Sequence, residues 1–206
     1  MIRLFHVSED DSITRFEPRQ PPSTDAGVAQ PSVWAVDERH VPNYLLPRDC
    51  PRVTYYSLPT SKLVDIQNLI GPSVANHVVA IEAVWFERAY NNKIWIYEFN
   101  SDSFSLVDIG AGYYTSKAAV VPSGKREIEN PVSELVSLGI ELRVVTSLWP
   151  LRDAVIESSL QFSCIRMRNA QPRCRRENKT LHPTAYGLGD PPVVFGGNRE
   201  RAAVEL

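Results

Sequence analysis

Residues 77–86, HVVAIEAVWF, constrain the fold more than any other stretch of the chain. β-Branched and apolar side chains recur on both alternating faces, so a strand built from them needs cover on each side and belongs at the centre of a sheet. Within this run Glu82 falls on the same face as Val78, Ala80 and Val84. A carboxylate on an apolar face requires a partner, because burying it unpaired is costly.

The flanking sequence supplies more strands than helices. LFHVS at 4–8, VWAVD at 33–37, VTYYS at 53–57, KIWIYEF at 93–99, FSLVDI at 104–109, KAAVV at 117–121 and IELRVVT at 140–146 all read as strands. GAGYYTS at 110–116 reads as a glycine-punctuated turn, and Gly124 with KREIEN as an exposed loop. Helical expectations are a single turn over Asp10 to Phe16, a short helix over Glu38 to Leu46 capped by Asp37, and a helix over Ser61 to Ile70 stopped by Gly71. Two more follow: a helix from Asn130-Pro131 to Leu138, and an amphipathic one from Pro150 to Ile165. The proline-rich stretch 17–32 resists both helix and ladder and reads as a surface connection or flap. These elements predict a single α+β domain over residues 1–170. It would hold a bent or split mixed sheet and about three flanking helices, followed by a disordered extension over 171–206.

Charge and cysteine content narrow the function. With 22 basic and 24 acidic residues the chain has no overall pull toward nucleic acid or anionic membrane. The arginine-rich segment 166–179 has no interleaved aromatic for base stacking, so it reads as solvated chain rather than an RNA contact. Cys50, Cys164 and Cys174 are odd in number and lack C-x-x-C spacing, which fits a reducing cytoplasm and no disulfide framework. No run approaches the length needed to span a bilayer. His6, His40, His77 and His182 share no metal-ligand spacing, so no metal is expected. Neither a G-x-S-x-G elbow nor a P-loop is present. The four tryptophans lie in or beside apolar segments and read as core.

His6 ends the first apolar strand, just ahead of Ser8, Glu9 and Asp10. Two readings stay open. It is a core histidine satisfied by a backbone carbonyl, or it faces a cleft and bonds a ligand hydroxyl while Glu9 or Asp10 orients the ring. PRDCPR at 47–52 presents Arg48 and Arg52 from a stiff backbone, either as ordinary surface arginines or as a bidentate clamp for a pyrophosphate.

The blocks LFHVSEDDSITRFEPR, VWAVDERHVPNYLLPRDCPRVTYY, AGYYTSKAAVVP and LRVVTSLWPLRDAVIESSLQFSCIRMRNA resemble, in order, those of an uncharacterised bacterial family of unknown function. The opening strand L-F-H-V-S with its I-x-x-F-x-P continuation is also similar to the start of ADP-ribosyltransferase-like folds. That likeness implies NAD as substrate, with His6 and the neighbouring Ser8 at its ribose and Tyr44 stacking the nicotinamide. Tyr113 or Tyr114 would substitute for Tyr44, and Glu134 would be the late glutamate that promotes transfer. Glu82 and Glu98 are alternative carboxylates, and Glu134 is equally explained as a surface residue of a capped helix. The leading expectation is therefore a small-nucleotide-binding domain, with ADP-ribosyl transfer as its chemistry. The alternative is a non-enzymatic small-ligand or protein-interaction domain.

Overall fold

The computed structural model describes residues 2–21 and 28–173. Chain order is β1 (Leu4–Ser8), β2 (Val33–Asp37), β3 (Arg52–Tyr56), α1 (Leu63–Asp65), β4 (His77–Glu82), α2 (Phe86–Asn91), β5 (Ile94–Phe99), β6 (Ser105–Asp108), β7 (Tyr113–Ser116), β8 (Gly124–Ile128), α3 (Pro131–Ser137), β9 (Glu141–Val145), α4 (Trp149–Glu157) and β10 (Gln161–Ile165). The class is α+β, with the strands divided between two sheets and four α-helical segments among the described residues rather than three. One sheet has six strands in the order β6-β7-β2-β1-β5-β8, all pairs antiparallel; the other has four, β10-β3-β4-β9, with β4 and β9 parallel.

β4 takes the central position its composition demands. Val79 and Ile81 turn toward the six-stranded sheet and join Phe5, Trp34, Val36 and Ile96 in one apolar cluster. Val78 and Ala80 turn the other way and pack with Val53 and Tyr55 of β3 and with Leu148 and Val155. All four β4 residues are fully buried, and each such valine or isoleucine contributes about 1.5–3 kcal/mol relative to exposure. A third cluster covers the outer face of the six-stranded sheet, where Phe16 and Val120 close over Leu4, Ala35, Tyr97 and Phe99.

Several elements differ from expectation, each for a local reason. The apolar run from His77 stops being strand at Glu82; a 3₁₀ turn, Ala83–Trp85, leads into α2, and Val84 is two-thirds exposed. The helix foreseen to Ile165 ends at Glu157 because Ser158 donates through both its amide and its hydroxyl to the Val155 carbonyl. β10 then follows as a strand. KREI at 125–128, expected as loop, lies in edge strand β8, where solvated charges are tolerated on an open side. YYTS is strand β7 rather than turn, whereas 117–121 makes only the bridge Phe16 to Val120. No helix forms over Asp10 to Phe16, since the Asp10 carboxylate takes the Ser12 amide and hydroxyl in a local turn. The helix after Asp37 is reduced to the 3₁₀ turn Val41–Tyr44.

Two sequence readings hold at atomic detail. Asn130 caps α3, accepting the Ser133 amide at 2.8 Å. Gly71, with φ of +75°, ends the turn Ile66–Ile70 that continues α1. The extension foreseen over 171–206 lies outside the described residues from 174 onward, yet 171–173 are tied to the fold. Gln171 donates its amide to Glu82 and accepts the Trp149 indole N–H, while Arg173 pairs with Asp153.

Candidate functional site

β1 and β2 begin as a normal antiparallel pair and then part. Their register covers only Leu4 with Asp37 and Phe5 with Val36, whereas β1 pairs along its whole length with β5. Past Phe5 the backbone ladder is replaced by a side chain: His6 Nδ1 lies 3.0 Å from the Trp34 carbonyl. A carbonyl only accepts, so Nδ1 carries the proton and Nε2 keeps its lone pair. Burial lowers the His6 pKa, partly offset by the Trp34 bond, and the ring is neutral near pH 7. Parts of both sequence readings of His6 are present. It bonds a backbone carbonyl, and it also lines a cavity of about 340 Å³ opened by the parting strands. Neither Glu9 nor Asp10 orients the ring.

The cavity gathers Ser8, Tyr44, Arg48 and Arg52 around His6. Arg52 is 2% exposed and no carboxylate pairs with it. Its Nε donates to the Asn43 carbonyl at 2.7 Å and its Nη1 to the carbonyls of Pro47 and Cys50, both at 3.0 Å. Nη2 has no protein acceptor and is not sealed from solvent. Burial lowers the pKa of Arg52, but a guanidinium stays protonated at neutral pH, so a cation with no carboxylate in contact with it lines the cavity. Arg48 is exposed, and its backbone is tied to both sides of the site. Its amide donates to Glu9 Oε2 at 3.2 Å, and its carbonyl accepts from Arg166 Nε at 3.3 Å.

Aromatic groups complete the wall. The Tyr44 and Tyr113 hydroxyls meet at 2.5 Å, and Tyr44 lies beneath the Arg52 guanidinium, 5.8 Å from its ring centroid. Burial holds both phenols protonated, raising Tyr44 well above its ordinary value and Tyr113 to about 12. Tyr113 thus supports Tyr44 from behind, and Tyr114 packs on the outer face of the sheet instead. Trp34, read from sequence only as core, also lines the cavity, and its indole N–H is buried without an acceptor. No sequence pattern signals that missing acceptor.

Glu134 is not part of this constellation. It sits on α3 paired with Arg126 at 2.9 Å, and it does not line the cavity. Glu98 is engaged by Arg3, and Glu82 is sealed in the core. The carboxylates that do line the cavity are Glu9 and Asp10. Asp10 is held below the usual carboxylate range by its bonds from Ser12, and Glu9 receives the Arg48 amide. Both cysteines among the described residues are buried, and burial pushes the Cys50 thiol up to about 12, so neither offers a thiolate. No cluster of metal-ligating side chains occurs among the described residues, and no helix there is long and apolar enough to cross a membrane.

A family model described as a family of unknown function, DUF6886, matches residues 5–170. The chain belongs to this family. No curated protein and no solved structure matches it. The likeness of the opening strand to ADP-ribosyltransferase-like folds therefore has no structural neighbour behind it, and the site has to be read from its own chemistry.

Proposed function

We propose that the cavity at the β1–β2 parting binds a small anionic ligand of the nucleotide class, its phosphate at Arg52 and Arg48 and its ring system against Trp34 and Tyr44. The observation that carries this reading is the Arg52 side chain. Three backbone carbonyls orient its fork without neutralising it, Nη2 meets no acceptor, and the residue lines the cavity. A buried charge is costly until an anion meets it, and charge-assisted bonds to phosphate are the strong ones. His6 Nε2 is an acceptor suited to a ribose hydroxyl. A volume of about 340 Å³ is at the small end for ligand sites, which favours one nucleotide unit over a whole dinucleotide. NAD belongs to the class through its nicotinamide mononucleotide half.

Binding without transfer is the reading we carry. Cleavage of a glycosidic C–N bond builds positive charge on the ribose and needs a carboxylate fixed beside it. Glu134 is elsewhere, while Glu9 and Asp10 are already engaged by Arg48 and Ser12.

Isothermal titration with AMP, nicotinamide mononucleotide, NAD, adenosine and inorganic phosphate tests the proposal. The mononucleotides are expected to bind once per chain and about tenfold more tightly than adenosine, with Arg48→Ala narrowing that gap. Incubation with NAD is expected to release no nicotinamide. Equal affinity for AMP and adenosine, or no heat from any anion on folded protein, would overturn it.

A further inference from the structure

The cavity at the β1–β2 parting is not lined by cations alone. Glu9 belongs to the same lining as Arg48 and Arg52, on the segment that leaves β1 directly after Ser8. Two contacts hold its carboxylate. Oε2 accepts the Arg48 amide at 3.2 Å, and Oε1 lies 3.6 Å from Arg88 Nη2 on α2. The Arg88 pair is long and that side chain is half-exposed, so solvent screens it. A carboxylate therefore sits on the backbone of the very residue whose guanidinium is assigned to the ligand's phosphate.

The turn that carries this amide is fastened from behind. Its four successive carbonyls all meet side-chain donors: Pro47 and Cys50 accept from Arg52 Nη1, Arg48 from Arg166 Nε at 3.3 Å, and Asp49 from Asn169 Nδ2 at 2.7 Å. With those carbonyls fixed the Arg48 amide keeps its direction, and Glu9 is held where that amide points. Asp10, the other acid of the lining, is engaged locally, its Oδ1 taking the Ser12 amide and hydroxyl at 2.9 and 2.7 Å. His6 is neutral near pH 7, because burial lowers its pKa. The charged groups of the lining other than the two arginines are thus carboxylates.

We infer that Glu9 is a specificity-determining residue, and that it makes the cavity favour a nucleotide phosphodiester, with one negative charge, over a phosphate monoester with two. A diester presents two non-bridging oxygens, one for each guanidinium. A monoester presents a third, and the backbone amide that could serve it is already taken by Glu9. The additional oxygen meets a carboxylate instead, and discrimination by such a repulsive element is a common route to specificity. The inference rests on the nucleotide reading of this cavity and names the class of phosphate within it.

Isothermal titration of the full chain with AMP, its 5′-phosphate methyl ester and adenosine tests it. The ester carries one charge, whereas AMP carries two above its second pKa of about 6. The ester is expected to bind about threefold more tightly than AMP, and both more tightly than adenosine. Glu9→Gln keeps an oxygen for the Arg48 amide and removes only the charge. It is expected to tighten AMP about tenfold and the ester about threefold, which brings the two level, while adenosine is unchanged. A carboxylate that served only to hold the turn would give no such split between the ligands. AMP binding the unaltered chain more tightly than its ester, or Glu9→Gln shifting both phosphates by the same factor or weakening them, would overturn the inference and leave the nucleotide reading standing. Neither phosphate binding better than adenosine would overturn both.

Discussion

The two faces of the four-stranded sheet each bury one charge, and they treat it differently. Arg52 on β3 pairs in register with Ile81, and Glu82 is the next residue on β4, close enough in sequence space to invite an ion pair. Alternation forbids it. Arg52 turns toward the six-stranded sheet, whereas Glu82 shares the outer face with Val78 and Ala80. Each is met by backbone instead. Glu82 uses both oxygens, taking the Leu148 amide on Oε1 at 3.1 Å and the Gln171 amide on Oε2 at 2.8 Å. Arg52 satisfies Nε and Nη1 and leaves Nη2 open. A saturated buried charge is a structural fastener; an unsaturated one beside a cavity is a binding group.

Glu82→Ala gives the largest expected effect, a loss of about 3–5 kcal/mol in urea unfolding, because the buried Leu148 amide and the partly buried Gln171 amide lose a charged acceptor. Glu82→Gln keeps one acceptor and should lose distinctly less. Arg52→Met should lose about 1–3 kcal/mol, since three carbonyls lose donors while a buried charge is also removed, and it should abolish mononucleotide binding. If Arg52→Met instead matched Glu82→Ala in stability and still bound AMP, the contrast between the two faces would be broken.

A pH scan sharpens the comparison at the first residue of β4. His77 has a folded pKa of about 4 against an ordinary 6.5. Above pH 6.5 both states are neutral there; between 6.5 and 4 the unfolded chain takes up the proton first. Stability should fall as pH drops through that window, by on the order of 2 kcal/mol, with His6 acting in the same direction. His77→Gln should flatten the profile of melting temperature against pH. The smallest expected effect is Asn130→Ala, about 1 kcal/mol from loss of the α3 cap, and it should leave the cavity unchanged.

Local patterns were readable where one strong signal ruled. The β-branched run marked β4, Asn130-Pro131 marked α3, and the short first strand with PRDCPR pointed to residues that share one cavity. Legibility failed where tertiary neighbours decide. Edge strand β8 needs no apolar alternation, so its charges read as loop. β10 continued the helical spacing of α4 by coincidence, and only the serines at 158 and 159 marked the break. Distance along the chain points to Glu134, yet the carboxylates on the cavity wall are Glu9 and Asp10, one and two residues after Ser8 in the segment that follows β1. Which acid faces a cavity depends on where strands part, a property of two segments at once.

The fastening of Glu82 has a practical corollary for anyone trimming the chain. The family match ends at residue 170, one position short of the amide that closes the second oxygen of that carboxylate. An expression boundary drawn at 170 would leave a dry anion half-answered, so a fragment that keeps both bonds to that carboxylate has to include Gln171.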